Sequence, residues 1–369
     1  PAIAYLTRKH KVDAGVVISA SHNPMEFNGI KFFNGDGYKL SDALEDEIEA
    51  LIHSNMDGVT LPTGSGVGRI DYRFDLKDEY VEFMKKCVPV DLKGLKIVVD
   101  CAEGASYYTS VRTLEDLGAN LIPIHITPDG TNINANCGST HMDELQARVV
   151  YEKADLGIAF DGDADRMLAV DENGKMVDGD QLMAICGNYM KEKGTLKKNT
   201  IVVTVMTNLG FTLMGEEKGI HVEKTRVGDR YVLENMLQNG YNIGGEQSGH
   251  IIFLDHNTTG DGLVSALQFL SVLKKTGMKA SEAASIVTVM PQVLRNAVVK
   301  LENKNSYMEN EEIAAACKAL EDEFAGEGRV LIRPSGTEPL VRVMIEGKDE
   351  EYITKKAEEL AELIEKILG

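Results

Sequence analysis

The sequence contains no tryptophan, and aromatic residues make up only 6% of its 369 residues. It has no apolar run of the roughly 18 residues that a membrane-spanning helix needs, so no membrane protein is expected. Basic residues are the minority charge, because 39 Lys and Arg face 58 Asp and Glu and the net charge is −19. A protein that coats nucleic acid by neutralising phosphates is therefore not expected, and an anionic ligand must meet a local basic pocket.

Cysteine is also scarce. The five cysteines are odd in number, far apart and form no Cys-x-x-Cys pair, so their spacing suggests neither a disulfide framework nor a zinc cluster. The cytoplasm is the simplest compartment for such a chain.

The first residue is Pro1 and no leader-like segment follows it, so we expect an N-terminal piece of a longer chain to be missing.

Hydrophobic residues make up 43% of the chain, which allows packed cores and argues against disorder. The length predicts two to four domains at roughly 100–200 residues each. Apolar β-rich runs alternate with helical patterns, which is typical of βαβ units and mostly parallel sheets. The predicted fold class is therefore α/β.

Residues 95–124 and 200–223 look like diverged copies of one strand–helix–strand unit. The strand-like segment 14–18 begins a partial third copy, interpreted as a buried strand that lacks the strand and helix expected before it. After Pro291 the order changes, which predicts a smaller α+β domain: a strand at 297–301, a helix at 309–324, strands at 329–332 and 340–346, and a last helix at 350–368. We thus predict three related α/β domains with mixed, mostly parallel sheets, the first truncated, and a C-terminal α+β domain, at 1–75, 76–176, 177–290 and 291–369.

A polar loop follows the first strand-like segment and contains Ser19, Ser21 and His22. A serine at the end of a strand, with His and Asn beside it, is placed for nucleophilic or phosphoryl-carrying chemistry. The same residue types also form ordinary turns, so this segment alone leaves both interpretations open.

Three carboxylates alternate after the apolar segment 156–160, at Asp161, Asp163 and Asp165. In an extended loop they point to one side, and three hard oxygen ligands suit Mg²⁺ or Ca²⁺. A calcium EF-hand is disfavoured, because Arg166 stands where that loop needs glycine and both flanks look like strands. A phosphatase with an aspartate nucleophile and a solvated turn without metal remain alternatives.

Two further loops are suited to ligands. Glu246 lies between glycines in the segment 244–250 and can accept two hydrogen bonds from a diol or an ammonium group. A plain hairpin loop is the alternative.

The segment 333–339 suggests an anion cradle. It combines the Arg333 guanidinium, the hydroxyls of Ser335 and Thr337, and backbone N–H groups that Gly336 allows to turn inward. A plain turn, with Arg333 paired to a nearby carboxylate, is the alternative there.

Taken together, the segments 19–24, 161–166, 244–250 and 333–339 resemble the α-D-phosphohexomutase superfamily in order and separation, over essentially the whole chain. Within the superfamily, the segments 18–24, 227–232 and 245–250 look most similar to bacterial members that interconvert glucosamine 6-phosphate and glucosamine 1-phosphate. The resemblance implies a Mg²⁺-dependent mutase with a phosphoserine, a phosphosugar substrate and a sugar bisphosphate intermediate. It implies no nucleic-acid or membrane partner and leaves a homodimer open.

The resemblance also implies a role for each motif. The residues around the reacting phosphate are the phosphoserine and Mg²⁺ ligand Ser21, the Mg²⁺ ligands Asp161, Asp163 and Asp165, the nearby Arg166, and the proton-transfer candidates Lys31 and His250. The residues that bind the rest of the substrate are Glu246 and Ser248 for sugar hydroxyls, and Arg333, Ser335, Gly336 and Thr337 for the phosphate that is not reacting.

The chain departs from the superfamily pattern at its N-terminus, where members carry a further strand–helix–strand region with a glycine and arginine motif.

Three alternative functions follow from the same residues. They are a phosphoglucomutase or phosphomannomutase, a phosphatase that loses the phosphoryl group of the phosphoserine to water, and a fragment that binds metal and phosphosugar without turnover.

Overall fold

A computed structural model describes residues 1–335 and 338–369. The chain forms two compact units, one of Pro1–Met206 with Lys218–Ile286 and the other of Thr207–Glu217 with Val287–Gly369. Among the helices of the described residues, none combines the length and the apolar character that crossing a membrane requires.

The first region carries a helix ahead of its strand, contrary to prediction. Its elements are α1 (Ala2–His10), β1 (Ala14–Ile18), β2 (Ile30–Asn34) and α2 (Asp42–His53). The prediction of a buried interior strand at 14–18 is also wrong: β1 pairs antiparallel with β2, and Ile18 is 71% exposed. An apolar run of five residues cannot show whether one or both faces of a strand are covered, and here residues of β1 alternate in burial.

The next region forms a five-stranded sheet in the order β4-β3-β5-β6-β7. Its elements are α3 (Leu76–Cys87), β3 (Lys96–Asp100), α4 (Ser106–Asp116), β4 (Asn120–Ile124), α5 (Asp143–Glu152), β5 (Leu156–Phe160), β6 (Met167–Val170) and β7 (Met176–Val177). β3, β4 and β5 are parallel, and β6 and β7 are antiparallel additions. β5 is buried throughout, as expected for a parallel strand inside an α/β layer. Loops after β3, β4 and β5 therefore meet at one edge of the sheet.

A four-stranded sheet follows in the order β11-β10-β8-β9. The elements of this part of the sequence are α6 (Gly179–Glu192), β8 (Thr200–Thr204), α7 (Leu209–Lys218), β9 (His221–Thr225), α8 (Asp229–Asn239), β10 (Ile243–Gly245), β11 (Ile251–Phe253), α9 (Gly262–Thr276) and α10 (Ala280–Ala284). β8 lies parallel to β9 and β10, whereas β10 and β11 form an antiparallel hairpin. The Asp261 carboxylate caps α9 by accepting the Leu263 and Val264 N–H groups.

The last region is an antiparallel sheet in the order β12-β14-β13 with two helices. Its elements are β12 (Gln292–Val298), α11 (Glu311–Phe324), β13 (Arg329–Pro334), β14 (Leu340–Glu346) and α12 (Glu350–Leu368). The predicted strand at 297–301 is displaced, because Leu301 begins a 3₁₀ turn and is 63% exposed. The α/β and smaller α+β composition is confirmed.

Candidate active site

Ser21 lies in the loop between β1 and β2 and has a left-handed backbone, with φ of 57°, which is uncommon for a residue with a Cβ. Two contacts hold this conformation. The Ser19 hydroxyl accepts the Ser21 N–H at 2.9 Å, and the Asn134 amide donates to the carbonyls of Ser21 and Asn23 at 2.9 Å each. The Ser21 hydroxyl then donates to Oδ2 of Asp161 at 2.7 Å. Sequence reasoning missed Asn134, because no local pattern marks a contact 113 residues away.

The three aspartates meet in the hairpin loop between β5 and β6. Ligand oxygens of Asp161, Asp163 and Asp165 lie within 4.8 Å of one another, and the residues are 0%, 8% and 8% exposed. The flanking elements are antiparallel strands, which rules out the EF-hand alternative, since that loop joins two helices.

The aspartate loop suits a hard divalent cation. Lys31 Nζ pairs with Oδ2 of Asp163 at 2.6 Å and with Oδ2 of Asp165 at 3.1 Å. The Oδ1 atoms of the same two aspartates are buried and make no hydrogen bond. Buried carboxylate oxygens are rarely left unsatisfied, and a cation bound by oxygen ligands would satisfy both.

The crowding of these carboxylates shifts their proton affinities in opposite directions. Burial, aided by the charges of Asp165 and Asp163, raises the pKa of Asp161 to about 8. Burial also acts to raise the pKa of Asp165, but the charges of His250 and Lys31 outweigh it and hold that pKa below its usual range. Burial and crowding therefore favour the protonated form of Asp161, and a bound cation would favour the ionised form.

Lys31 lies beside these carboxylates. Burial acts to lower its pKa, but the charges of Asp165 and Asp163 raise it above the usual lysine value. Without a cation, Lys31 is thus held as an ammonium ion. Its role in proton transfer stays a prediction.

His22 lies beside Ser21, and Arg166 lies beside the aspartate loop. Nδ1 of His22 lies 3.4 Å from the Ser21 hydroxyl oxygen, and burial, followed by the charge of Arg166, lowers the pKa of His22. The Arg166 Nε is buried without a hydrogen bond and lies 4.0 Å from Oδ1 of Asp165. An unsatisfied guanidinium donor beside the aspartate loop is suited to binding a phosphoryl group.

His250 is buried between two carboxylates. Its Nε2 lies 3.8 Å from Oδ2 of Asp165 and 3.5 Å from Oδ2 of Asp229. Asp229 begins α8 and also pairs with Lys39. Sequence reasoning quoted Asp229 within a motif but gave it no role, and it did not identify Lys39. Asp229 and Lys39 extend the alternation of positive and negative side chains that begins at the aspartate loop and continues through His250.

The glycine-rich segment 244–250 is the β10–β11 hairpin loop and lies against the aspartate loop. The Gly249 carbonyl accepts the Met167 N–H at 3.0 Å. Gly249 has φ of 91°, and an added Cβ would lie 2.4 Å from the Met167 carbonyl oxygen, so this approach requires glycine. Glu246 Oε1 accepts the Gly228 N–H at 3.1 Å, whereas Ser248 is exposed.

The second compact unit carries the predicted anion cradle at the end of β13. Arg333 lies opposite Arg342 on β14, and burial, followed by the charge of Arg342, lowers the pKa of Arg333. Like charges directly opposite each other destabilise a sheet, and a bound anion would relieve this repulsion. Ser335 is 5% exposed, while Gly336 and Thr337 lie outside the described residues. Sequence reasoning missed Arg342.

Four domain families match the chain, each over a different stretch of residues. They are phosphoglucomutase/phosphomannomutase alpha/beta/alpha domain I at 1–58, domain II at 78–174, domain III at 178–290 and the C-terminal domain at 297–363. A phosphoglucosamine mutase of Acetivibrio thermocellus is 61% identical over 370 aligned positions, which cover 100% of this chain and 82% of that protein.

Solved structures agree at the level of the fold. The N-acetylphosphoglucosamine mutase of Aspergillus fumigatus, in complex with GlcNAc-6P and magnesium, has a TM-score of 0.72 and 18% identity, covering 100% of this chain and 92% of that one. A variant of that enzyme in complex with glucose 1,6-bisphosphate has a TM-score of 0.68 and 19% identity, covering 99% and 92%. With domain matches along the chain and a relative of this identity, the chain belongs to the phosphoglucomutase/phosphomannomutase family of the α-D-phosphohexomutase superfamily.

Proposed function

We propose that this chain is a phosphosugar mutase that interconverts glucosamine 6-phosphate and glucosamine 1-phosphate. The observation that carries the proposal is the Ser21 hydroxyl, which donates to Asp161 at 2.7 Å beside two carboxylates with unsatisfied oxygens. A serine carrier next to a cation site is what phosphoryl transfer needs. The choice of glucosamine is supported by the activity in the name of the relative that is 61% identical.

In the proposed reaction, phospho-Ser21 transfers its phosphoryl group to a sugar hydroxyl. The bond between Ser21 Oγ and phosphorus breaks as the bond to the sugar oxygen forms. The hydroxyl proton passes to His250, or to Lys31 once cation binding has released the proton that its ammonium form carries. The bisphosphate then turns over, the bond between its other phosphorus and the sugar oxygen breaks as the bond to Ser21 Oγ forms, and the proton held since the first transfer returns to that sugar oxygen. The phosphoryl group changes position on the sugar, no co-substrate is consumed, and Ser21 is regenerated as phosphoserine.

The proposed ligands of Mg²⁺ are Asp161, Asp163, Asp165 and phospho-Ser21. When bound, Mg²⁺ would offset negative charge on the transferring phosphoryl group. Arg166 would offset the same negative charge by donating its unsatisfied Nε–H to the phosphoryl group. The Asn134 amide keeps the Ser21 loop in position. Most of the rate enhancement would then come from positioning and electrostatics.

The remaining motifs would bind the substrate. The proposed ligands of the sugar hydroxyls are Glu246 and Ser248, and those of the phosphate that is not reacting are Arg333, Ser335, Gly336 and Thr337. The proposed domain bounds are 1–75, 76–176, 177–290 and 291–369, and each of these domains contains one of the four loops.

A coupled assay with glucosamine, glucose and mannose 6-phosphates tests the function. Preference for glucosamine 6-phosphate is the expected result. Faster turnover of glucose or mannose 6-phosphate would favour a phosphoglucomutase or phosphomannomutase. Release of inorganic phosphate in excess of sugar 1-phosphate would favour a phosphatase, and binding without either product would leave a binding protein.

An Arg333→Ala variant is expected to raise the KM for every phosphosugar tested by a similar factor, because the phosphate is common to all of them. Loss of a charge-assisted contact of about 1.5–3 kcal/mol predicts an increase on the order of tenfold to a hundredfold. Steady-state kinetics on the three sugars measure it, and Arg295→Ala, which removes an arginine paired with Glu358, is the matched control.

A Glu246→Gln variant should instead change the preference among the sugars, since Glu246 is assigned to their hydroxyls. If Arg333→Ala changed the preference and Glu246→Gln changed all KM values equally, the two roles would have to be exchanged.

Mg²⁺ affinity is expected to rise with pH. The pKa of Asp161 is about 8 without the cation, so below that pH a bound proton competes with Mg²⁺, and affinity should increase up to about tenfold per pH unit and level off above pH 8. Calorimetric titration in buffers of different ionisation enthalpy would measure the accompanying proton release. A pH-independent affinity, with no proton released at pH 7, would show that the pKa of Asp161 is not raised.

A further inference from the structure

A second group of metal-ligating side chains lies outside the site described above. It consists of Asp100 at the end of β3, His125 directly after β4, and Cys137 just before the 3₁₀ turn Gly138–Thr140. One ligand atom of each lies within 4.8 Å of the others. Since β3 and β4 are parallel neighbours, the chain brings Asp100 and His125 together at the carboxyl edge of the sheet.

The positions of these atoms suit a shared ion. Nδ1 of His125 lies 3.1 Å from Oδ2 of Asp100 and pairs with that carboxylate when the ring is protonated, although the contact does not have good hydrogen-bond geometry. Two ligands bound at about 2.0 Å to a tetrahedral metal lie roughly 3.3 Å apart, close to the observed spacing. Nε2 of the same ring lies 3.3 Å from Oε2 of Glu144, and a carboxylate behind a metal-binding imidazole commonly fixes its tautomer and orientation.

The surroundings enclose the group tightly. Asp100 is 0% and Cys137 is 1% exposed. The Gly138 N–H donates to Oδ2 of Asp100 at 2.9 Å, and an added Cβ on Gly138 would lie 2.5 Å from the Ala102 Cβ. His125 itself has a left-handed backbone, with φ of 52°. Such strain in a residue with a Cβ is typical of positions where the side chain has a specific task.

We propose that Asp100, His125 and Cys137 bind one Zn²⁺ ion, at a site separate from the aspartate loop. A mixed set of sulfur, nitrogen and oxygen ligands suits Zn²⁺, whereas Mg²⁺ prefers oxygen ligands only. Three protein ligands leave a fourth position of the usual tetrahedron for water. The two sites would therefore select different metals by ligand chemistry.

Zn²⁺ at this position would stiffen the segment that holds the Ser21 loop. Asn134 lies between His125 and Cys137 in the chain, and its N–H donates to the Ala102 carbonyl at 2.9 Å. Its side-chain amide holds the carbonyls of Ser21 and Asn23. The ion would act on Ser21 only through this positioning, so binding can be tested without measuring mutase activity.

The test is a Co²⁺ titration of the full chain after chelator treatment, with Mg²⁺ in excess to occupy the oxygen site. We expect one equivalent of Co²⁺ to bind and to give a thiolate-to-cobalt charge-transfer band that Zn²⁺ displaces. Cys137→Ser should remove the band, and His125→Asn should weaken Co²⁺ binding at least about tenfold. Cys101→Ser, which changes another fully buried cysteine, should keep both the band and the affinity.

No charge-transfer band in the wild-type chain would overturn the proposal, as would a band that survives Cys137→Ser. If circular dichroism showed that Cys137→Ser does not fold, His125→Asn decides, because asparagine tolerates a left-handed backbone. Unchanged Co²⁺ affinity in His125→Asn would then overturn the proposal. A chain that shows the band but no mutase turnover would contradict the proposed function alone.

Discussion

A Ser21→Ala variant is expected to lose mutase turnover by at least about a thousandfold, because it removes the oxygen that would carry the phosphoryl group in every cycle. Intact-mass analysis and peptide mapping of native protein should show one phosphoryl group on Ser21, and the variant should show none. The fold should persist, since the Ser21 side chain contributes one hydrogen bond to Asp161 and a weak contact with His22.

Ser19→Ala is the matched control for this variant. The Ser19 hydroxyl accepts the Ser21 N–H, so its loss should loosen the loop and lower turnover while leaving the phosphorylation site intact. Phosphate found on Ser19, or full activity in Ser21→Ala, would show that the wrong serine was assigned.

An Asp163→Asn variant is expected to abolish turnover at ordinary Mg²⁺ concentrations while leaving the fold intact. The change removes one anionic ligand of three and the carboxylate partner of Lys31 at 2.6 Å, so the site loses affinity for Mg²⁺ and a charge that orients the lysine. Calorimetry should show weaker Mg²⁺ binding by on the order of a hundredfold, a loss typical of damaged metal sites. Phosphosugar binding should remain measurable.

The control for Asp163→Asn is Asp143→Asn, which makes the same change of charge at an exposed position of α5. It should leave turnover and Mg²⁺ affinity unchanged. Unaltered turnover of Asp163→Asn at limiting Mg²⁺ would show that the three aspartates are not the functional metal site.

The sequence determined those features that depend on neighbouring residues. The alternation of Asp161, Asp163 and Asp165 after an apolar strand indicated a cation site, and the helix predicted at 350–368 agrees with α12 (Glu350–Leu368). Periodicity and strand-ending loops are local properties, so residues a few positions apart are enough to reveal them. The roles assigned to the individual site residues stay predictions until the variants are measured.

The tertiary structure alone decided which distant residues meet. The sequence predicted a buried strand at 14–18, but the burial of β1 depends on what packs against each face. It also gave no sign of the Asn134 contact with Ser21, or of the meeting of Cys137 with Asp100 and His125, and cysteine spacing even argued against a zinc cluster. Asp100 and His125 meet because the loops after the parallel strands β3 and β4 converge at one sheet edge. The Asn134 contact instead joins loops of two different sheets, so it depends on how those sheets pack.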